Sequence, residues 1–185
     1  VSVLRRLSPA VFAAVFAAGL LTAVPTPAGA ATAPVVVKSA PSEPGRPAYA
    51  VCPSGTVVTG GGYFMDPAVN ADRVVDFVIG DAPASPTSWA AHALRGRIIA
   101  YAMCAPGNTH IAHSPTWSAP GQPTTAVCPD GTRLTAGGYA AEPRTNTAGE
   151  NVDALVANSP ADQPANAWGA GLKYGRAVAY AVCNR

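Results

Sequence analysis

Short apolar runs rich in β-branched and aromatic residues recur along this chain, bounded by Gly, Pro, Asn and Asp. Runs of this length and composition set between turn residues read as strands. Such runs lie at Val35-Val36-Val37, Tyr49 to Cys52, Thr56 to Thr59, Arg73 to Ile79, Trp89 to Leu94 and Ile98 to Cys104. Later ones lie at His110 to His113, Val152 to Val156, Trp168 to Leu172 and Ala177 to Cys183. Nineteen prolines interrupt the chain, and nothing beyond residue 30 sustains a 3.6-residue apolar period, so long helices are not expected. In the run ending at Cys104, Ile99, Tyr101 and Met103 share one face, while Ile98, Ala100, Ala102 and Cys104 share the other. Both faces are apolar, which predicts a central strand or one buried between larger units.

The two sets of runs are copies of one pattern. Ala50-Val51-Cys52-Pro53-Ser54-Gly55-Thr56 returns as Ala126-Val127-Cys128-Pro129-Asp130-Gly131-Thr132, a shift of 76 positions. At the same shift Thr59, Gly61, Gly62 and Tyr63 match Thr135, Gly137, Gly138 and Tyr139. Small insertions then pair Val75, Asp76 and Pro83 with Val152, Asp153 and Pro160. Further on, Trp89, Arg97, Tyr101 and Cys104 pair with Trp168, Arg176, Tyr180 and Cys183. Matching Cys, Trp, Tyr and Gly in one order marks a duplication, with a first repeat over residues 31–107 and a second over 108–185. The fold class expected is all-β: a duplicated pseudo-twofold unit forming a β-sandwich, barrel or prism-like domain. The glycines shared by both copies, Gly61-Gly62 and Gly137-Gly138, are expected at bulges or close backbone approaches.

Residues 1–30 are set apart from this pattern. Arg5 and Arg6 precede an apolar run from Pro9 to Leu21, and Ala28-Gly29-Ala30 supplies a small-x-small cleavage site. This is the layout of a secretory signal peptide cut after Ala30, with no stable membrane insertion afterwards. The chain carries twelve Lys and Arg against ten Asp and Glu. Removing Arg5 and Arg6 leaves a balanced charge. A neutral domain offers no footprint for nucleic acid.

Export changes how the cysteines are read. Cys52, Cys104, Cys128 and Cys183 are expected to form two disulfides. Two symmetric pairings are open: within each copy, Cys52–Cys104 with Cys128–Cys183, or crossed between copies. The first is simpler and is favoured. Each such bridge closes about fifty residues and contributes about 4 kcal/mol in the chain-entropy account, useful for a repeat too small to build a thick core.

Candidate chemistry is sparse. Trp89, Trp168, Tyr63 and Tyr139 are candidate stacking platforms for a sugar, with core packing as the competing role. Asp76 and Asp153 sit at matched strand positions and are the candidate acidic pair for a glycan hydrolase, if their separation suits. Asp66, Asp72, Asp81 and Asp130 can offer oxygens near turns but lack the spacing of a calcium loop. His110 and His113, three apart on a strand, point to opposite faces; their counterparts at the repeat shift are Pro34 and Val37. With isolated His92 they form no metal motif, so neither metal nor cofactor is expected. Arg97 and Arg176 are matched rim or salt-bridge groups. No Gly-x-Ser-x-Gly elbow or nucleotide-binding glycine loop is present.

Cys-Pro-x-Gly-Thr, Gly-Gly-Tyr, a later Trp and a closing aromatic-Ala-x-Cys strand together resemble a cysteine-bridged repeat of secreted proteins from high-GC Gram-positive bacteria. The resemblance rests on Cys52, Pro53, Gly55, Gly61, Gly62, Trp89, Tyr101, Cys104 and their partners in copy two, and spans nearly all of the chain beyond the leader. It implies an extracellular β-fold and brings no catalytic residue. The function expected is non-enzymatic binding outside the cell or at its envelope, with cell-wall or extracellular polysaccharide as partner. Two alternatives stand beside it. One is a protein-interaction or protease-inhibitor module using residues 108–123 or 141–151 against a secreted protein. The other is a carboxylate-dependent glycan hydrolase.

Overall fold

The computed structural model describes residues 33–185; the leader reading falls outside that range. Fourteen strands follow one another: β1 (Val35–Lys38), β2 (Pro47–Val51), β3 (Val57–Asp66), β4 (Val69–Asn70), β5 (Arg73–Val74), β6 (Val78–Ser85) and β7 (Ser88–Ala93), then β8 (Arg97–Ala105), β9 (Thr109–His113), β10 (Thr124–Val127), β11 (Arg133–Glu142), β12 (Leu155–Pro160), β13 (Ala167–Leu172) and β14 (Arg176–Asn184). The described residues contain no helix, hence none long and apolar enough to cross a membrane.

Pairing is antiparallel throughout and repeats between copies. In the first, β8 lies between β1 and β3, and β7 lies between β2 and β6. In the second, β14 lies between β9 and β11, and β13 lies between β10 and β12. The registers agree residue for residue: Gly62 faces Tyr101 as Gly138 faces Tyr180, and Asp81 faces Ala91 as Asn158 faces Ala170. One junction joins the copies. β6 pairs with β11, Tyr139 opposite Asp81 and Ala140 opposite Gly80, giving a six-stranded sheet in the order β2-β7-β6-β11-β14-β9. The reciprocal pair, β3 with β12, is not made, and both end their sheets as edges. No sheet closes into a barrel.

Alanine forms much of the core. Ala50, Ala91, Ala100, Ala102, Ala170, Ala179 and Ala181 are all buried. Such small side chains let sheets approach closely, and tryptophan, tyrosine and cystine fill the space that remains. Cys52 bonds Cys104 and Cys128 bonds Cys183, each tying the end of one strand to the central strand of the neighbouring sheet. Serine extends two ladders. Beyond β1, the Ala100 and Ile98 amides donate to Ser39 Oγ and Ser42 Oγ at 3.0 and 3.1 Å. Beyond β9, the Ala179 and Ala177 amides donate likewise to Ser114 and Ser118.

Several expectations need correction. The strand expected over Thr56 to Thr59 is longer: β3 runs on through Gly60-Gly61-Gly62 to Asp66, with its bulge just before the shared glycines, between Val58 and Gly60. The expected Arg73 to Ile79 strand breaks after Val74, and Asp76 and Asp153 lie between strands rather than on them. β8 takes the first of its two expected places, the centre of its sheet. Its Ile98-Ala100-Ala102-Cys104 face is buried, whereas Ile99 and Tyr101 are half-buried and Met103 is exposed. Pairing also shifts the histidine correspondence by one residue. His110 faces Cys183 as Val35 faces Cys104, so the counterparts of His110 and His113 are Val35 and Lys38.

Candidate functional site

Asp76 and Asp153 are the clearest sequence candidates, and both are occupied by backbone. Asp76 Oδ1 accepts from the Phe77 and Arg95 amides, and Oδ2 from those of Ala68 and Gly96. Asp153 repeats the arrangement with Ala154, Tyr174, Arg144 and Gly175. Burial works to raise the Asp153 pKa, but the four donors together outweigh it and hold the carboxyl below its ordinary range. Each carboxylate fastens the turn before its closing strand, and no described cavity is lined by both.

The tryptophans are likewise architectural. Trp89 is 1% exposed, and its Nε1 donates to Asp81 Oδ1 at 2.7 Å. Trp168 is half-buried and donates to Asn158 Oδ1 at 2.8 Å. Gly61 and Gly137 lie against these two indoles, where a Cβ would collide with the ring. This accounts for the first shared glycine. Tyr139 is 2% exposed and donates from its hydroxyl to Val78 O, so it too is closed to a ligand. Of the four candidate stacking rings, Tyr63 alone is well exposed. It is not grouped with Trp168 into any described cavity.

The remaining candidates stay scattered. Among the described residues no three of His, Cys, Asp and Glu come together as a metal site. His110 lines a cavity with Asp130 and Thr132, while His113 stands beside the Tyr180 ring on the other side of β9. Arg176 pairs with Glu142, and Arg97 reaches Glu43 at 4.0 Å, as expected of rim groups.

Asp81 is the most perturbed carboxyl. Burial pushes its pKa up to about 6, against the lowering effect of the Trp89 hydrogen bond. Tyr63 is raised by burial and then by Asp81, and Tyr139 is raised by burial, Tyr63 and Asp81. The three form a cluster near the junction of the copies. It contains one carboxyl, and that carboxyl holds Trp89.

The outer face of the six-stranded sheet has a different character. Cross-strand register aligns Tyr49 on β2 with Ala90 on β7 and Ala82 on β6. Beyond the β6–β11 junction it aligns Gly138 on β11 with Tyr180 on β14 and His113 on β9. The adjacent row runs Pro47, His92, Gly80, Ala140 and Val178. The floor is therefore alanine and glycine, and aromatic rings stand at both ends. Tyr49, His92, Ala82, Ala140 and Tyr180 line a shallow cavity of about 210 Å³. Four strand spacings separate Tyr49 from Tyr180, about 19 Å at the usual interval. Tyr49 is 54% exposed, and His92 Nε2 donates to Gly45 O, fixing that ring at the rim. No Lys, Arg or Glu lines the trough, and the Asp81 side chain leaves it for Trp89.

Sequence reasoning missed this surface because it sought residues shared by the copies. Tyr49 has Thr125 as its counterpart, and the trough joins strands of both repeats. The available signal was the alternation Pro47-Ala48-Tyr49-Ala50-Val51, which puts Tyr49 on the face opposite two buried alanines. No model of a known protein family matches the chain, and no curated protein matches it.

Proposed function

We propose that this is an exported, disulfide-bridged pseudo-twofold β-protein that binds a neutral glycan or cell-wall polymer without acting on it. The observation that carries the reading is the uncharged alanine- and glycine-paved trough between Tyr49 and Tyr180. A flat floor admits a sugar ring close to the backbone, and a phenol ring offers an apolar face for stacking and a polar tip for hydrogen bonding. The absence of formal charge along the trough favours a neutral polymer over an acidic one. A length of about 19 Å suits several consecutive sugar units rather than one. Binding without catalysis is favoured because Asp76 and Asp153 each already accept four backbone hydrogen bonds. A hydrolase would need a pair of carboxyls facing one substrate bond.

The test is retention of the purified, oxidised protein on insoluble polysaccharides and isolated cell walls. Saturable retention on a neutral polymer is expected. Tyr49→Ala and Tyr180→Ala should each weaken it about two- to tenfold, since aromatic contacts of this kind are worth about 0.5–1.5 kcal/mol. Retention unchanged in both variants, or confined to one secreted protein, would remove the trough as the binding surface.

A further inference from the structure

The unequal junctions between the repeats carry an inference about a second surface, separate from the trough. At the junction that is made, β11 lies against β6 so closely that a Cβ at Gly138 would collide with the Asp81 carbonyl. Tyr139 is buried there and donates to Val78 O. The equivalent elements of the unmade junction are all present. Gly62 and Tyr63 stand on β3 where Gly138 and Tyr139 stand on β11. Leu155, Ala157 and Asn158 stand on β12 where Val78, Gly80 and Asp81 stand on β6. Asn158 already holds Trp168 as Asp81 holds Trp89.

Nothing occupies these edges within the described residues. A Cβ on Gly62 would meet no atom within 4 Å, so Gly62, unlike Gly138, has no steric reason among the described residues. Tyr63 is 44% exposed and makes no hydrogen bond among the described residues. Phe64 and Val156 are each 61% exposed. A charge or proline that usually blunts a free strand stands only at the last residue of each, Asp66 on β3 and Pro160 on β12; Gly61 to Met65 and Leu155 to Ser159 between are uncharged and lack proline.

We propose that β3 of one molecule pairs antiparallel with β12 of a second copy of this chain, repeating between molecules the β6–β11 junction within each. The register follows from the made junction: Tyr63 opposite Asn158 and Phe64 opposite Ala157. The Tyr63 hydroxyl then meets Leu155 O, as Tyr139 meets Val78 O. Val156 arrives beside Met65, at the groove of about 520 Å³ that Phe64, Met65, Ile98 and Ile99 line together with Asp66 and Arg97. Two chains can exchange both edges and close as a dimer, or the contact can propagate because its two halves differ. The short ladder places the association among weak, transient contacts rather than obligate ones.

Glycine 62 supplies the test. Gly62→Val has room within the monomer but places a side chain where the incoming strand must lie. Sedentary folding controls are its melting temperature and circular dichroism, both expected to match the wild type. By analytical ultracentrifugation from micromolar to near-millimolar concentration, the wild type should gain mass and Gly62→Val should remain monomeric. Mixing a Phe64→Cys chain with an Ala157→Cys chain under oxidation should give a disulfide between the two. A wild type that is monomeric throughout overturns the proposal, as does association that Gly62→Val leaves intact. A wild type free of self-association whose trough still retains polymer would overturn this inference alone.

Discussion

Trp89 and Trp168 are held by the same geometry and by different acceptors, Asp81 in one copy and Asn158 in the other. The carboxyl has the disadvantage that it must ionise in a buried place. Its folded pKa of about 6 lies above the ordinary aspartate value of about 4 that the unfolded chain would show. Between those values the folded state binds the proton more tightly, so stability falls as pH rises through the window and stays lower above it. The shift of about two units corresponds to about 3 kcal/mol at most. Asp81→Asn, which installs what copy two already uses, should raise the melting temperature at pH 7 by about 5 °C and flatten its decline between pH 4 and 6. Thermal melts across that range check it; a variant less stable than wild type at pH 7 would contradict the account. The opposite sign applies to Asp153, whose depressed pKa adds stability that is lost on acidification below its ordinary range. The two shared glycines separate by the same logic of local contact. Gly61→Ala forces a methyl into the Trp89 indole and should cost about 1–3 kcal/mol. Gly62→Ala should stay within about 0.5 kcal/mol in denaturant titrations of the monomer.

At the scale of elements, each repeat uses the same fasteners: one cystine, two serine hydroxyls beyond its first strand, and one aspartate closing the turn before its last. Removing Asp76 leaves four amides without their acceptor, so Asp76→Ala should cost about 3 kcal/mol. Asp153→Ala should cost less, because Asp76 is buried whereas Asp153 is half-buried and water can replace part of what is lost. Parallel melts of the two variants test the ordering, and equal losses would argue against it. Much of this level was legible in the chain. Strand positions follow from β-branched and aromatic runs set between turn residues, and the simpler cysteine pairing is the one formed. The role of Asp76 was not legible, because a carboxylate that accepts backbone hydrogen bonds is indistinguishable in sequence from one facing solvent. The serines of the ladder, Ser39 and Ser114, were hidden for another reason: the one-residue difference in register around them breaks the repeat shift.

For the whole molecule, the informative feature is where the two copies cease to be alike. β6 reaches β11, and no equivalent pair joins β12 to β3. Long-range pairing of this kind leaves no local pattern, so the duplication could be read while its broken symmetry could not. The broken symmetry creates the six-stranded sheet and therefore the trough, since Tyr49 and Ala82 come from one repeat and Ala140 and Tyr180 from the other. It also leaves the two unpaired edges, β3 and β12, proposed to meet between molecules. If they do, a dimer presents two troughs, and a polymer long enough to reach both is retained more strongly than by either alone.

The most direct measurement is an amide chemical-shift map recorded while a soluble oligosaccharide, cut from whichever polymer retains the protein, is titrated in. The account predicts perturbations concentrated at Tyr49, Ala82, Ala90, Ala140 and Tyr180, on the outer face of the six-stranded sheet. Perturbations centred instead on Phe64, Met65 and Ile99, with that sheet unmoved, would contradict it.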